Sequence, residues 1–444
     1  MSEGTAGALV MIDRVCRRVT TSGCLAAMAV AICLAGLAGT GRAAEQAAGA
    51  KENRFSQFPS APGPQINLIR KMPAGVWIDL GPPTPDPKWG VARGRTWAAQ
   101  MPFAPSLGLA FLYGEGVHGW SSEKTGRYMD GLWAYDVMDH RWVTVVPGTD
   151  TRHPPKLILN KDGFPALPNG QPIPIAALGH AYQMTSWVPE SKSFAFMEAR
   201  HNFYQDVLPT IGAFMKANKD LLNEHHASPW FYDTTADTWR RYRTKTESPD
   251  PYLGATLTYI PTLKGLLYID EDRVWFYDPA QNSWKFLNPS GPKPPFGIDA
   301  TSCYDSKRDR IYIGGGDYPR AKGPNAFWIY DIQKNTWIDP KPKGSPGSNR
   351  YGTHYNMMQY DSASDTVLLF RYGDDGRGIY AYSPSANEWT TVAKDLPSRW
   401  YDDYRTSGSS GFYDPELNAH FFHVAGDSDD NGTILVYRYK QARK

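Results

Sequence analysis

Cysteine is almost missing from the part of this chain that folds. Of four cysteines in 444 residues, Cys16, Cys24 and Cys33 lie in an N-terminal leader, and only Cys303 follows it. No internal disulfide can staple the mature chain, so packing and sheet pairing must hold it. An excess of one charge is also missing. The whole chain is formally +2, and loss of residues 1–43 takes 47 basic residues to 43 and 45 acidic residues to 43. No basic stripe favours nucleic acid, which is therefore not expected as a partner. Runs of helical period are few. The apolar run Leu25–Ala38 has the length of a signal-peptide core and is too short to span a bilayer, so no integral membrane span is expected.

The leader has the parts of a secretory signal. Arg14, Arg17 and Arg18 form a basic region before the apolar run, and Gly41-Arg42-Ala43 puts small residues around a cleavage point before Ala44. Met11 is an alternative start. Arg17-Arg18 invites a twin-arginine reading, but Thr20 stands where that motif wants a large apolar residue. A lipobox is poorly matched, because Ile32 precedes Cys33. Export to the periplasm or the extracellular space is the expectation. Residues 44–72, rich in Ala, Pro and Gly, read as a flexible N-terminal arm.

What is abundant points to β-structure. There are 15 Trp, 26 Tyr, 41 Gly and 36 Pro. Aromatic-rich stretches punctuated by Gly and Pro suit strands and turns. One element recurs five times with Tyr and Trp seven positions apart: Tyr135…Trp142, Tyr232…Trp239, Tyr277…Trp284, Tyr330…Trp337 and Tyr382…Trp389. Asp follows the Tyr in four copies and Ser383 in the fifth, with turn formers between. The aromatic run before each Tyr reads as a strand, Asp and Pro turn the chain, and Trp opens the return strand with its ring between neighbouring sheets.

A second hairpin precedes each copy. Its return strands are Leu109–Tyr113, Phe194–Met197, Gly265–Ile269, Arg310–Ile313, Thr366–Phe370 and His420–Val424. Two hairpins make a four-stranded blade, and such units must stack to bury their faces. The arrangement over roughly residues 75–440 resembles the Kelch-repeat β-propeller family, the superfold of galactose oxidase. That family carries a glycine pair after the second strand of each blade. Here the pair is intact at Gly314-Gly315, degenerate at Gly114, Gly373 and Gly426, and missing after Met197 and Ile269.

The expected fold is therefore all-β: a six-bladed propeller over residues 73–444. Tyr437 lies in a third strand with no Trp strand after it, while Val76-Trp77-Ile78 near the start has that strand's character. We expect it to complete the last blade and close the ring. The step from Trp142 to Trp239 is about twice the spacing of about fifty residues elsewhere. It holds one upstream hairpin, His180–Ala199, and two insertions, 147–177 and 202–228, so one blade is counted there; seven blades is the alternative. Within the second insertion, Thr210–Asn223 reads as a helix capped by Thr210, with Ile211, Phe214, Met215, Leu221 and Leu222 on one face.

Both insertions fall in loops expected on one face of the ring, where propellers bind ligands; that is analogy of fold. Polar residues expected there include His180, His354, Tyr351 and Arg371 as catalytic candidates, and Arg350, Trp400, Tyr401, Arg200 and His201 as substrate-binding candidates. His and Tyr can move protons, and Arg can hold a carboxylate bidentately. That set suits lyase or hydrolase chemistry on an acidic polysaccharide, so an exported carbohydrate-binding or carbohydrate-processing propeller is the leading reading. Taken singly, each His reads more readily as a hydrogen-bonded structural residue in a strand. The competing reading is a protein-interaction propeller without turnover; a monomer is expected in either case. Asp427, Asp429 and Asn431 with Gly432 match the first half of a calcium loop, but Arg438 stands where its Glu belongs. The resemblance to galactose oxidase implies a third reading, a copper radical oxidase, for which Cys303 is the sole candidate for a Tyr crosslink.

Overall fold

The computed structural model describes residues 53–95, 98–114, 126–200, 204–250, 254–295, 298–318, 327–346, 356–371, 377–398, 407–426 and 432–441. They form six four-stranded antiparallel sheets, the blades of a β-propeller. Blade 1 is Phe103–Ala104, Leu109–Leu112, Leu132–Asp136 and Arg141–Val146. Blade 2 is Thr185–Val188, Ser193–Phe196, Trp230–Asp233 and Thr238–Arg240. Blade 3 is Thr256–Ile260, Gly265–Asp270, Arg273–Asp278 and Ser283–Phe286. Blade 4 is Ile298–Asp305, Arg310–Tyr318, Phe327–Asp331 and Thr336–Ile338. Blade 5 is Asn356–Asp361, Thr366–Arg371, Gly378–Ser383 and Glu388–Ala393. Blade 6 takes Ser407–Asp414, Ala419–Gly426 and Thr433–Arg438 from the C-terminal end and Val76–Asp79 from the N-terminal end. The first strand of every blade touches the first strands of both its neighbours, so the ring closes.

The Tyr…Trp spacing is a statement of register. In blades 1 to 5 the repeat Tyr and Trp are directly opposed partners across the last two strands. In blade 6 the same position is filled by Trp77 opposite Tyr437. Each of these Trp rings reaches the preceding blade. Trp142 packs on His423, Trp239 on Tyr113, Trp389 on Phe327 and Trp77 on Phe370. Trp284 and Trp337 donate their indole N–H groups to the carbonyls of Ala227 and Asp272. One indole per blade thus fills the wedge between twisted sheets, where apolar area leaves water at roughly 25 cal/mol per Å².

The turn after the Tyr is built by side chains. The carboxylate of the following Asp accepts backbone N–H bonds two or three residues on, as at Asp136, Asp233, Asp278 and Asp331. The Tyr hydroxyl pairs with the side chain five residues on: His140, Asp237, Asn282, Asn335 and Asn387. All five of those residues have positive φ, which Asn and Asp tolerate better than most. The upstream hairpins of blades 4, 5 and 6 use the same device, Tyr304 with Asp309, Tyr360 with Asp365 and Tyr413 with Asn418. In blades 3 to 5 the turn Asn also donates its amide to the preceding blade, to Arg243, Leu287 and Pro340 carbonyls.

Two expectations are corrected here. Residues 53–72 are not a flexible arm. Arg54–Gln57 is a 3-10 turn and Pro64–Lys71 an α-helix, and Phe55, Phe58, Ile66, Ile69 and Met72 are buried against blades 1, 2 and 6. Small and proline residues hid the apolar spacing that anchors the segment. The helix of the second insertion is also shorter than expected. It runs Pro209–Ala217 behind Leu208, so Thr210 is its second residue and caps nothing. Pro is well placed at the start of a helix, because its missing N–H has no intrahelical partner there.

Candidate functional site

The two insertions pack on each other. Tyr204, Leu208, Ile211 and Met215 from the second meet Leu157, Ile175 and Ala176 from the first, with Tyr128 of blade 1, in a separate apolar cluster. Asn223 ties the insertions further, through its N–H to Gly163 O at 3.1 Å and its amide to Asp162 O at 3.1 Å. The result is one platform over blades 1 and 2, held by its own core. Polar groups concentrate at its two flanks.

On the blade 2 flank lies an ion triad. Glu198, two residues past the second strand, sits with Arg241, just past the fourth; both are buried. Arg200 Nε is 2.7 Å from Glu198 Oε1, and Arg241 Nη1 and the Trp230 indole both donate to Oε2. The Arg241 guanidinium also lies over Trp230, 4.8 Å from the ring centre. Burial works against the Glu198 carboxylate, but Arg200, Arg241 and Trp230 outweigh it and hold its pKa below the usual range. Glu198, Arg200 and Arg241 line a recess of about 190 Å³ with Glu224, Ser248 and Pro249. Its far wall is fixed where Ser248 N–H donates to His225 O and its hydroxyl to Glu224 O.

On the blade 1 flank, Asp130 accepts from Thr149 N–H and hydroxyl, each at 2.7 Å, and from Ala176 N–H at 3.1 Å. Burial raises its pKa. Arg200 Nη1 donates to the adjacent Ile175 carbonyl at 2.8 Å, so residues 175–176 join the two flanks. Ala176 is held at φ 46°, an uncommon conformation for a residue with a side chain.

The inner strands are stitched across the ring. Gln183 of blade 2 reaches past blade 3, accepting from Ser302 N–H and hydroxyl and donating to Thr301, while Thr301 accepts from Met358 N–H of blade 5. Between blades 6 and 1, Gly411 exchanges backbone bonds with Ala99 and Met101. A side chain there would run into Phe421 O and Gln359, so this contact requires glycine.

Of the site residues expected from sequence, three lie among those described. Arg200 joins the triad. His180 is buried, with Nδ1 3.2 Å from the Tyr182 hydroxyl. Arg371 ends the second strand of blade 5, buried, and donates to Pro346 O. His354, Tyr351, Arg350, Trp400, Tyr401, His201, Asp427, Asp429 and Asn431 lie outside the described residues. Arg241 and Asp130 were not anticipated. The signal for Arg241 was its place two residues past Trp239, which puts it at the same blade end as Glu198.

The residues around Cys303 do not fit a copper radical centre. Cys303 is the register partner of Tyr312, but that hydroxyl is bonded to Asp305 at 3.2 Å. Burial, with Asp305 beside it, pushes the thiol well above its ordinary pKa. No group of three or more His, Cys, Asp or Glu side chains among the described residues is arranged to hold a metal ion.

No family model matches the chain, and no curated protein matches it. Among solved structures it is similar to an auxiliary nutrient binding protein from Bacteroides thetaiotaomicron, at 11% identity over 81% of this chain and 75% of that one, with a TM-score of 0.43. It is similar to TolB from Acinetobacter baumannii at 12% identity and a TM-score of 0.40, over 76% of this chain and 65% of TolB, just under two thirds of its length. A chain of a mitotic checkpoint complex is similar at 8% identity and a TM-score of 0.40, over 84% and 96% of the two chains. Each likeness is one of fold, and the chain is a six-bladed β-propeller.

Proposed function

We propose that this chain is an exported, Kelch-type propeller that binds a carbohydrate at the recess on the blade 2 flank of its insertion platform. The observation that carries the reading is the recess itself. Glu198, Arg200 and Arg241 stand at one blade end with Glu224 and Ser248 around them. A saccharide presents hydroxyls that both donate and accept, and a uronate adds a carboxylate. A wall offering carboxylates, a hydroxyl and guanidinium groups meets both needs. The leader through Ala43 supports export, and Gly314-Gly315 with the Tyr…Trp register supports the Kelch assignment.

Binding is favoured over turnover, because Glu198 in the recess is held as a carboxylate by Arg200, Arg241 and Trp230, which leaves it a weak base.

The test is a screen of the mature protein against neutral and acidic polysaccharides, scoring both binding and released product. Saturable binding, weakened tenfold or more by Arg200→Ala without product, is the expected result. Release of unsaturated sugar would move the assignment to a lyase. Absence of binding across the screen, or binding indifferent to Arg200→Ala, removes the recess as the site.

A further inference from the structure

A second cavity, on the blade 1 flank, has arginines and no carboxylate among its described lining residues. It is small, about 80 Å³, and its lining includes Trp89, Arg93, Arg95, Arg127 and Trp133. That volume holds several water-sized groups, enough for one charged group and too little for a sugar ring. Arg95 is 3% exposed. Its Nη1 donates to Arg93 O at 3.1 Å, while its buried Nε has no hydrogen-bond partner. Arg127 lies over the Trp89 ring, 4.4 Å from the centre, and donates to Gly148 O at 2.8 Å. Among the described residues, no carboxylate forms an ion pair with Arg95 or Arg127.

The described carboxylate that bears on Arg95 is already spent. Asp130 raises the Arg95 pKa through space, but its own oxygens serve Thr149 and Ala176. Burial, reinforced by Arg93, lowers the Arg95 pKa to about 10, so the group remains a cation at neutral pH. An unpaired buried cation is costly, and its unsatisfied N–H adds to that cost. A buried polar group left without a partner calls for an explanation, and a bound anion is one that also answers the charge.

We propose that the Arg95 cavity is an oxyanion site, taking a carboxylate, sulfate or phosphate group on Arg95 and Arg127 with Trp89 beneath Arg127. It stands on different residues from the blade 2 recess. The carboxylate or sulfate of an acidic saccharide and a free inorganic anion share this chemistry, and the experiment separates them.

Sodium sulfate, sodium phosphate and sodium glucuronate are titrated separately into the mature protein at constant ionic strength set with chloride. Binding is read by calorimetry and by tryptophan fluorescence. At least one anion should bind saturably, with affinity at least tenfold weaker in Arg95→Gln and reduced in Arg127→Gln. The exposed-arginine variant Arg240→Gln should bind as the parent does. Preference for glucuronate identifies a sugar carboxylate, and preference for sulfate or phosphate a tetrahedral anion. The proposal is overturned if none of the three binds beyond the chloride background, or if Arg127→Gln binds unchanged. Because Arg95→Gln could lose its fold, circular dichroism is run on each variant, and Arg127→Gln then decides alone. Polysaccharide binding that persists in Arg127→Gln leaves the blade 2 recess standing whatever happens here.

Discussion

Arg54 Nε donates to Asp237 at 2.8 Å, and the same guanidinium reaches the Thr144 and Val145 carbonyls at the end of blade 1. Asp237 is the turn residue of blade 2 that corresponds to Asn282, Asn335 and Asn387 in blades 3 to 5. Those asparagines bond the Tyr hydroxyl with their oxygen and the preceding blade with their amide. An Asp cannot donate, so Arg54 supplies the missing donor from a segment far away in sequence.

This equivalence predicts a rescue. Arg54→Ala should cost about 1–3 kcal/mol, the range for a hydrogen bond to a charged group and its orphaned acceptors. Asp237→Asn in that background should recover part of the loss, because Asn can make both bonds. Urea unfolding of the four-protein cycle measures it. A double variant no more stable than Arg54→Ala sinks the equivalence.

Trp77 is the sixth indole of the ring. Trp77→Ala should lower stability by about 2–4 kcal/mol, below the loss for a fully buried Trp because this one is half-buried. Trp77→Phe should cost less. Chemical unfolding with limited proteolysis checks it, with early cleavage expected near Val76 rather than within blade 3. Uniform cleavage in Trp77→Ala would speak against closure by this strand.

How far the sequence could be read follows from these residues. The Tyr…Trp spacing was legible because the two rings must face each other across a hairpin of fixed length, and that survives drift in everything between. Trp77 was legible for the same reason. The matching turns in the upstream hairpins were not. There the aromatic drifts to Phe103 and Trp187, and the positive-φ position is held by Gly108, Lys192 and Lys264, so spacing persists while chemistry changes. The Glu198–Arg241 contact was hidden because it joins two strands separated by a third. The buried state of Arg95 was hidden because the segment before blade 1 follows no repeat.

Asp270 gives a pH signature. It is buried at the end of the second strand of blade 3, and burial, only partly offset by Arg273 at 2.6 Å, pushes its pKa up to about 6. The folded state therefore holds the proton more tightly than the unfolded one. Its contribution is full below pH ~4 and is lost as pH rises through ~6, a difference of up to about 3 kcal/mol. Asp270→Asn lacks that titration. The stability of the parent minus that of the variant should fall between pH 4 and 7, and parallel curves would contradict the assignment.

Glu198→Gln should destabilise by about 3–5 kcal/mol, because the buried Arg241 and the partly buried Arg200 lose their counter-charge. Arg200→Gln should cost less, since Arg241 still pairs with the carboxylate. Thermal unfolding ranks the two. Equal losses would mean that Arg200, and not Arg241, carries the pair.

The closing strand also sets an order of assembly. Asp79 bonds Thr433 across a separation of 354 residues, whereas each inner hairpin joins neighbours. Loop-closure entropy makes so distant a pairing late, and the strand emerging first from the ribosome is the last to find its place. Until Thr433–Arg438 appears, one flank of blade 6 is an open edge, the state most exposed to proteases and to pairing with another chain. A truncation that removes only the last twenty residues would thus leave Val76–Asp79 without its partner, and its damage would surface at the opposite end of the polypeptide.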